Sequence, residues 1–192
     1  MLRIGLISDT HIPEACARLW PQVFTAFRSV DLILHAGDIY DLEVIDQLGE
    51  IAPIYVARGN GDDGGGGRPV QAEDERLRKV WLLDLEGLRV GLIHMPIPQI
   101  RSYMPIEQMT DRQFGRSDLD VLVYGDTHVE AIERIGNMLC VNPGSPTCPH
   151  NMNNQLGTIG FLEIHEGLSD VTIWQLTETG TELFDWSKYR TS

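Results

Sequence analysis

The sequence contains few cysteines and no long hydrophobic run. Its cysteines, Cys16, Cys140 and Cys148, are odd in number and show no close paired spacing. This pattern argues against a disulfide framework and against a cysteine zinc site, so we expect three reduced thiols. No apolar run approaches the roughly 18–20 residues that a membrane span requires, and the first residues already resemble a strand. We therefore predict a cytoplasmic protein that does not enter membranes.

Basic residues are also scarce. The chain has 15 Lys and Arg against 28 Asp and Glu, which gives a formal net charge of −13. Such a charge repels nucleic-acid backbones and anionic membrane surfaces, so extended nucleic acid is not an expected partner. A small anionic substrate stays compatible with this composition, because bound cations can reverse the local electric field.

The length and apolar content suit one compact unit. Of the 192 residues, 42% are hydrophobic, which is enough to bury a sizeable core. No internal repeat, long charge run or linker interrupts the chain. We expect a single domain over residues 1–192, and the sequence leaves a homo-oligomer open.

Apolar runs alternate with helical patterns along the first half of the chain. The spacing predicts helices at 19–27, 42–48 and 106–114. Strands are predicted at 4–7, 31–38, 53–57, 80–85, 88–93, 119–124, 131–135, 138–141, 158–164 and 171–176. Strand and helix alternation of this kind is typical of βα units and a mainly parallel sheet, so the fold class is α/β.

Polar side chains follow several of these strands directly. Asp9 and His11 come after the first strand, Asp38 ends the second, and Asn60 follows the third. Because ligands gather at the carboxyl ends of parallel strands, we expect these side chains to converge. A carboxylate beside an imidazole suits a divalent metal ion. The alternative for the first pair is that Asp9 caps a turn and His11 is a surface loop residue.

Two irregular stretches are candidates for loops that choose the substrate. Four consecutive glycines at 64–67 predict a mobile surface loop, and no Lys-Ser or Lys-Thr follows them to form a phosphate cradle. Pro96, Pro98 and Pro105 disfavour regular structure in the second stretch. Neither stretch has a chemistry that identifies a natural substrate.

Taken together, these residues resemble the calcineurin-like metallophosphoesterases, in particular their small prokaryotic phosphodiesterase branch. The motifs occur in the family's order: Asp9-Thr10-His11, Gly37-Asp38, Gly59-Asn60-Gly61-Asp62, His94, Gly125-Asp126-Thr127-His128 and Asn142-Pro143-Gly144-Ser145. The resemblance implies a four-layer αββα sandwich, in which helices flank two packed sheets. It also implies a metal-dependent hydrolase that acts on phosphoesters.

The resemblance assigns ligands to two divalent ions, by position in this sequence. The first ion is assigned Asp9, His11 and His128, the second Asn60 and His94, and Asp38 bridges both. A carboxylate shared by two cations offsets their repulsion and helps to hold them about 3.5–4 Å apart. The implied reaction is in-line attack of a metal-bridging hydroxide on a small phosphodiester, with Asp38, Asn60 and His94 as the catalytic residues.

Asp126 stands where the family usually has histidine as a further ligand of the second metal. It could replace that ligand, leave the second metal weakly bound, or only form hydrogen bonds within its turn. As a ligand it favours manganese or magnesium over zinc, with iron and nickel left open. Its negative charge would weaken the metals as Lewis acids, which predicts an alkaline activity optimum.

Gly61 is a second departure, because many phosphomonoesterase relatives have a histidine directly after the metal-binding asparagine. Without that proton donor, substrates with good leaving groups are favoured. Neighbouring Asp62 either orients a metal ligand or caps a turn. His35 is expected to be a buried packing residue, His165 a structural one, and His150 could approach the substrate. A phosphomonoesterase and an inactive scaffold of the same fold remain alternatives.

Overall fold

The computed structural model describes residues 1–95 and 104–189, which form three α-helices, three short 3₁₀ helices and two β-sheets. The α-helices are α1 (Pro21–Phe27), α2 (Glu43–Gly49) and α3 (Ile106–Phe114). The strands are β1 (Leu2–Ile7), β2 (Leu32–His35), β3 (Ile54–Ala57), β4 (Leu77–Arg78), β5 (Val80–Leu85), β6 (Leu88–Ile93), β7 (Val121–Val123), β8 (Ala131–Ile135), β9 (Met138–Asn142), β10 (Thr158–His165), β11 (Leu168–Thr177) and β12 (Gly180–Leu183). The predicted irregular stretch around Pro98 lies outside the described residues.

Both sheets are mixed. The first has the order β12-β11-β10-β1-β2-β3-β4, and the second has the order β5-β6-β7-β9-β8. Neighbours pair in parallel only from β1 to β4 and from β6 through β7 to β9. The parallel sheet predicted from the first βα units is confirmed for β1 to β4. Two-residue turns at Glu86-Gly87 and Glu166-Gly167 join β5 to β6 and β10 to β11 as antiparallel hairpins. All four turn residues have positive φ, which lets the chain reverse within two residues.

The two sheets pack face to face, and helices cover both outer faces. Side chains of β1, β2, β6, β7 and β9 form the core between the sheets. Val23 and Phe27 of α1 and Ile45 of α2 pack against the outer face of the first sheet. Ile106 and Met109 of α3 cover the second sheet. These layers confirm the predicted four-layer arrangement.

Alternation along β1 and β2 explains their unbroken apolar runs. Ile4 and Leu34 point into the core between the sheets, whereas Ile7 and Ile33 point toward α1 and α2. Both faces of these strands are buried, so every position favours an apolar residue. Each fully buried side chain of this size contributes about 1.5–3 kcal/mol to folding. The strand ends that carry the polar residues are therefore firmly anchored.

Helix α1 begins two residues later than the pattern predicts. Pro21 occupies its first turn, and the preceding Trp20 is extended, with φ −65° and ψ 137°. Proline suits the first helical position but disfavours a helical residue before it, so the helix cannot extend back to Leu19. None of the helices formed by the described residues is both long enough and apolar enough to span a bilayer.

Candidate metal centre

Seven polar side chains converge at the carboxyl ends of β1, β2, β3, β6 and β7. They belong to Asp9, His11, Asp38, Asn60, His94, Asp126 and His128. All seven were predicted from the sequence to be metal ligands, and the structure brings them together in two adjoining groups. Chain segments far apart in sequence meet here because the parallel strands end at the same edge of their sheets.

The first group consists of Asp9, His11 and His128. Asp9 Oδ1 lies 3.4 Å from His128 Nε2 and 3.8 Å from His11 Nε2. One ligand atom from each residue lies within 4.8 Å of the others. A carboxylate oxygen and two imidazole nitrogens so arranged can surround one divalent ion.

The second group surrounds His94 Nε2. This atom lies 3.1 Å from Asn60 Oδ1, 3.4 Å from Asp126 Oδ1 and 3.6 Å from Asp38 Oδ1. The group is richer in oxygen than the first, because Asp126 offers a carboxylate where the family offers an imidazole. An oxygen-rich donor set suits manganese or magnesium better than zinc.

Asp38 belongs to both groups. Its Oδ2 atom lies 3.4 Å from His11 Nε2, and its Oδ1 atom lies 3.6 Å from His94 Nε2. The side chain is almost fully buried between them. One oxygen therefore faces each group, which is the arrangement that a bridging carboxylate needs.

An unsatisfied oxygen supports the fit of this centre to a cation. Asp9 Oδ1 is buried and has no hydrogen-bond partner among the described residues. Its second oxygen, Oδ2, accepts hydrogen bonds from Ser8 Oγ at 2.5 Å and from the Asp126 backbone N–H at 3.0 Å. Leaving a buried carboxylate oxygen without a partner is costly, and a divalent ion bound by Oδ1 would remove that cost.

The electrostatics of the centre also favour a bound positive charge. Burial acts to lower the pKa of His94, but the carboxylates of Asp126, Asp9 and Asp38 outweigh it and raise that pKa to about 10. Burial likewise acts to raise the pKa of Asp9, yet the nearby imidazoles of His11 and other histidines hold it well below its ordinary value. The carboxylates thus attract cations, and divalent ions would compete with protons for these positions.

Backbone carbonyls orient two of the imidazoles. His94 Nδ1 lies 2.7 Å from the Ala36 carbonyl oxygen, and His128 Nδ1 lies 3.1 Å from the Cys148 carbonyl oxygen. An Nδ1–H that donates to a carbonyl leaves Nε2 with its lone pair directed at the centre. Both rings are therefore prepared to bind a metal through Nε2.

Five of the seven residues have a left-handed backbone. The φ angles are 52°, 47°, 56°, 69° and 56° for Asp9, His11, Asp38, Asp126 and His128. Non-glycine residues rarely adopt this conformation, which costs of order 1–3 kcal/mol where it is strained, and such residues cluster at functional sites. At the ends of the strands, this left-handed backbone directs the five side chains toward the centre.

Asp62 caps the loop that carries Asp38. Its carboxylate accepts hydrogen bonds from the backbone N–H groups of Asp38, Ile39, Tyr40 and Gly59, at 2.9–3.0 Å. Burial raises the pKa of Asp62 despite these bonds. The bond to Gly59 caps the turn, and the bond to the Asp38 N–H holds the backbone of a candidate metal ligand, so the structure is compatible with both roles considered from the sequence.

Two features of the centre were missed from the sequence. The Tyr40 ring stacks on the His11 ring with centroids 4.2 Å apart. Ser145 Oγ donates a hydrogen bond to the Asp9 carbonyl at 2.7 Å, and Thr147 Oγ1 donates one to the Thr10 carbonyl at 2.6 Å. An aromatic residue two positions after Asp38 is a signal that could have drawn attention to Tyr40.

The remaining histidines lie outside both groups. His35 is fully buried and bonds to Thr10 and Gly37, as expected for a packing residue. His150 Nε2 lies 3.1 Å from a carboxylate oxygen of Glu130, so its approach to a substrate stays a prediction. His165 is exposed at the end of β10.

A cavity of about 390 Å³ opens beside the second group. Asn60, His94 and Asp126 line it on the side of the centre, and Lys79 and Gln113 line it elsewhere. Its volume is in the range of pockets that hold small molecules. Any ligand in this cavity would contact both the candidate ligand residues and a positively charged side chain.

Comparisons with known proteins agree with this geometry. The calcineurin-like phosphoesterase superfamily domain matches residues 2–167. A probable metallophosphoesterase of Methanothermobacter thermautotrophicus is 40% identical over 147 residues, which cover 76% of this chain and 78% of that protein. A phosphodiesterase of Methanocaldococcus jannaschii is 26% identical, covering 84% of this chain and 93% of that protein.

Solved structures agree on the fold. Vacuolar protein sorting 29 from Cryptosporidium parvum covers 95% of both chains with a TM-score of 0.74 and 19% identity. A zinc complex of Vps29 from Entamoeba histolytica has a TM-score of 0.70 and 20% identity, over 95% of this chain and 97% of that one. The family predicted from the motifs is confirmed: the chain belongs to the calcineurin-like phosphoesterase superfamily and is a metallophosphoesterase, a hydrolase of phosphoester bonds.

Proposed function

We propose that this protein hydrolyses small phosphodiesters at a centre of two divalent metal ions. The first ion would be held by Asp9, His11 and His128, the second by Asn60, His94 and Asp126, with Asp38 shared. Two such ions, when bound, neutralise phosphate charge and activate water for attack on phosphorus. The observation that carries the proposal is the buried Asp9 Oδ1 atom, which faces two imidazoles and has no hydrogen-bond partner within residues 1–95 and 104–189.

The chain's own side chains would position the phosphoester. The residues proposed as catalytic are Asp38, Asn60 and His94, and His94 Nε2 lies 3.1 Å from Asn60 Oδ1 and 3.6 Å from Asp38 Oδ1. Asp38 and His94 are buried, which excludes bulk water from one side of the reacting group and strengthens electrostatic interactions there, whereas Asn60 is exposed to the cavity. A preorganised site of this kind stabilises charge that develops during attack on phosphorus.

The cavity beside the second group supports a small substrate rather than an extended one. Lys79 provides a positive charge in an otherwise acidic chain, and Gln113 of α3 provides a neutral polar group. Arg58 also lines the cavity, but its guanidinium already bonds to Asp63 and to the Gln71 carbonyl. One ester group of a small phosphodiester would occupy this space.

Gly61 supports diesters with good leaving groups over monoesters, because it offers no side-chain proton donor beside Asn60. The likeness to a protein named as a phosphodiesterase points the same way. The three carboxylates of the centre favour manganese, with magnesium next. Zinc, iron and nickel are the other ions to be compared.

The test is an assay with matched metal analysis. The purified protein would be stripped with a chelator, reloaded with manganese, magnesium or zinc, and assayed on a bis-aryl phosphodiester and on the corresponding monoester. We expect two manganese ions per chain and turnover of the diester well above that of the monoester. Metal binding without turnover of either ester would indicate a scaffold that retains only the fold, and a preference for the monoester would indicate a phosphomonoesterase.

A further inference from the structure

The hydroxyl group of Tyr40 lies inside the centre without belonging to either ligand group. It is 3.2 Å from His11 Nε2 and 3.3 Å from Asp38 Oδ2. Tyr40 as a whole is half-buried. A phenol at this position can donate one hydrogen bond to a group that enters from solvent.

Gly61 makes room for this ring. A Cβ atom at position 61 would lie 2.2 Å from Tyr40 Cε1 and 3.0 Å from the Tyr40 hydroxyl oxygen. Carbon atoms of different residues do not approach so closely, so a side chain at position 61 and the observed Tyr40 position exclude each other. Gly61, which differs from the histidine of phosphomonoesterase relatives, therefore also leaves the space that the Tyr40 ring occupies.

Several contacts hold the Tyr40 ring in place. The ring stacks on His11 at an interplanar angle of 24°, and the Arg68 guanidinium carbon lies 4.3 Å from its centroid. Arg68 in turn forms a two-pronged ion pair with Glu14, with N–O distances of 2.9 and 2.6 Å. Cation–π and bidentate contacts of this type restrict the ring to one orientation. The hydroxyl is thus fixed in space before any ligand arrives.

We propose that the Tyr40 hydroxyl donates a hydrogen bond to a phosphoryl oxygen of the bound substrate. The proposal rests on the proposed function. Both neighbours of the hydroxyl, His11 Nε2 and Asp38 Oδ2, are atoms assigned to metal ions. His11 Nε2 has one lone pair, so it can no longer accept a hydrogen bond once it binds a metal. Asp38 Oδ2 keeps a second lone pair, but a bound cation draws charge from it and makes it a weaker acceptor. An anionic phosphoryl oxygen at the same centre is then the stronger acceptor for the hydroxyl.

The test is Tyr40→Phe, which removes the hydroxyl and leaves the stacked ring. For the manganese-loaded variant we expect kcat/KM on a bis-aryl phosphodiester to fall about ten- to hundred-fold, the range for loss of a hydrogen bond to a charged group. Binding of inorganic phosphate, measured by calorimetry, should weaken about ten-fold or more. Metal content and melting temperature should match the wild type.

The matched control is Tyr55→Phe, which removes the same atom from a tyrosine that packs against Trp81. This variant should behave as the wild type in every assay. Equal kinetics and phosphate binding for Tyr40→Phe and the wild type would overturn the inference. So would a loss of manganese that accounts for the lost activity, because the hydroxyl would then act on the metal centre and not on the substrate.

Phosphate binding separates this inference from the proposed function. A wild-type protein that binds phosphate but hydrolyses no ester would contradict the proposed function. The inference would still stand in that case if Tyr40→Phe weakened phosphate binding at unchanged metal content, and it would fall if phosphate binding were unchanged.

Discussion

At the scale of single residues, Asp126 is the position where the charge of the centre differs from the family pattern. Its carboxylate lies 3.4 Å from His94 Nε2 and adds a negative charge to the second group. We expect Asp126→His to move the pH–rate profile of hydrolysis toward lower pH, because a neutral ligand leaves the metals stronger Lewis acids. The variant should also bind zinc more tightly relative to manganese.

The pH–rate profiles and the metal content of both proteins check this prediction. Asp170→Asn is a suitable control, because it removes a carboxylate from an exposed position on β11, on a sheet strand that does not contribute to the centre. Superimposable profiles for Asp126→His and the wild type would contradict a ligand role for Asp126.

His35 makes stability depend on pH. Its Nδ1 atom accepts a hydrogen bond from the Gly37 N–H, so the neutral ring carries its proton on Nε2, next to Thr10 Oγ1. Burial lowers the pKa of His35 to about 3, whereas the unfolded chain keeps the ordinary value of 6.5. Between these values the unfolded state binds more protons. The free energy of unfolding therefore falls on acidification below about pH 6.5, by at most about 1.4 kcal/mol per pH unit from this residue.

Denaturant unfolding of the wild type and of His35→Gln, followed from neutral to mildly acidic pH, measures this contribution. The glutamine variant cannot titrate, so its stability should decline less steeply. The same slope in both proteins would show that other groups cause the loss of stability.

The convergence of Asp9, His11, Asp38 and Asn60 could be predicted because these residues come shortly after strands, whereas the full ligand set followed from the resemblance of the motifs to the family. Asp9 and Asp38 occupy such positions, and strand ends are where parallel sheets collect ligands. Tyr40 was not predicted as part of the site. Its position two residues after Asp38 is a weak signal, because the approach of its ring to His11 depends on a left-handed backbone and on free space at Gly61. Spatial contacts of that kind leave no periodic pattern in the sequence.

At the scale of secondary-structure elements, long apolar strands were predictable and short peripheral ones were not. β4 has two residues and β12 has four, and neither carries an unbroken apolar run. Both pair only at sheet edges, where burial is partial and the sequence pattern is correspondingly weak.

The glycine loop between β3 and β4 is more constrained than its composition indicates. The Gly65 N–H donates a hydrogen bond to the Asn60 carbonyl at 2.8 Å. A Cβ atom at Gly65 would lie 2.5 Å from that carbonyl oxygen and 3.3 Å from Asn60 Nδ2. We expect Gly65→Ala to displace Asn60 and so to lower both the metal content and the diesterase activity, with activity falling about ten-fold or more.

Gly49→Ala is the control, because its new Cβ would meet no atom closer than 3.5 Å. Metal analysis and kinetics of the two alanine variants distinguish a local effect on Asn60 from a general cost of added volume. Normal metal content in Gly65→Ala would show that the loop can move away from Asn60 freely, in agreement with the mobile loop predicted from the glycines.

At the scale of the whole molecule, we propose that residues 1–192 form a single domain. β1, near the start of the chain, pairs with both β2 and β10, so the first sheet joins distant parts of the sequence. Phe161 of β10 packs edge to face on Phe27 of α1. A domain closed in this way is expected to unfold in one cooperative step.

Phe161→Ala tests this coupling. It should lower the free energy of unfolding by about 3–5 kcal/mol, because a large buried ring is lost. Far-ultraviolet circular dichroism and tryptophan fluorescence should report one coincident transition, before and after the substitution. Tryptophans lie on both sheets, Trp81 on β5 and Trp174 on β11, so two separate transitions would divide the chain into two units.

The net charge of −13 and the positive side chain in the cavity act on an anionic substrate in opposite directions. Lys79 lines the cavity, so its attraction operates within the screening length of about 10 Å at 0.1 M salt and is weakened little. Repulsion by the excess of acidic side chains elsewhere on the protein acts over longer distances and is screened more strongly.

We therefore expect kcat/KM for a phosphodiester anion to rise between about 20 and about 200 mM KCl. Lys79→Gln should lower kcat/KM at both salt concentrations, and a fall of the wild-type value with added salt would show that local attraction dominates the approach of the substrate.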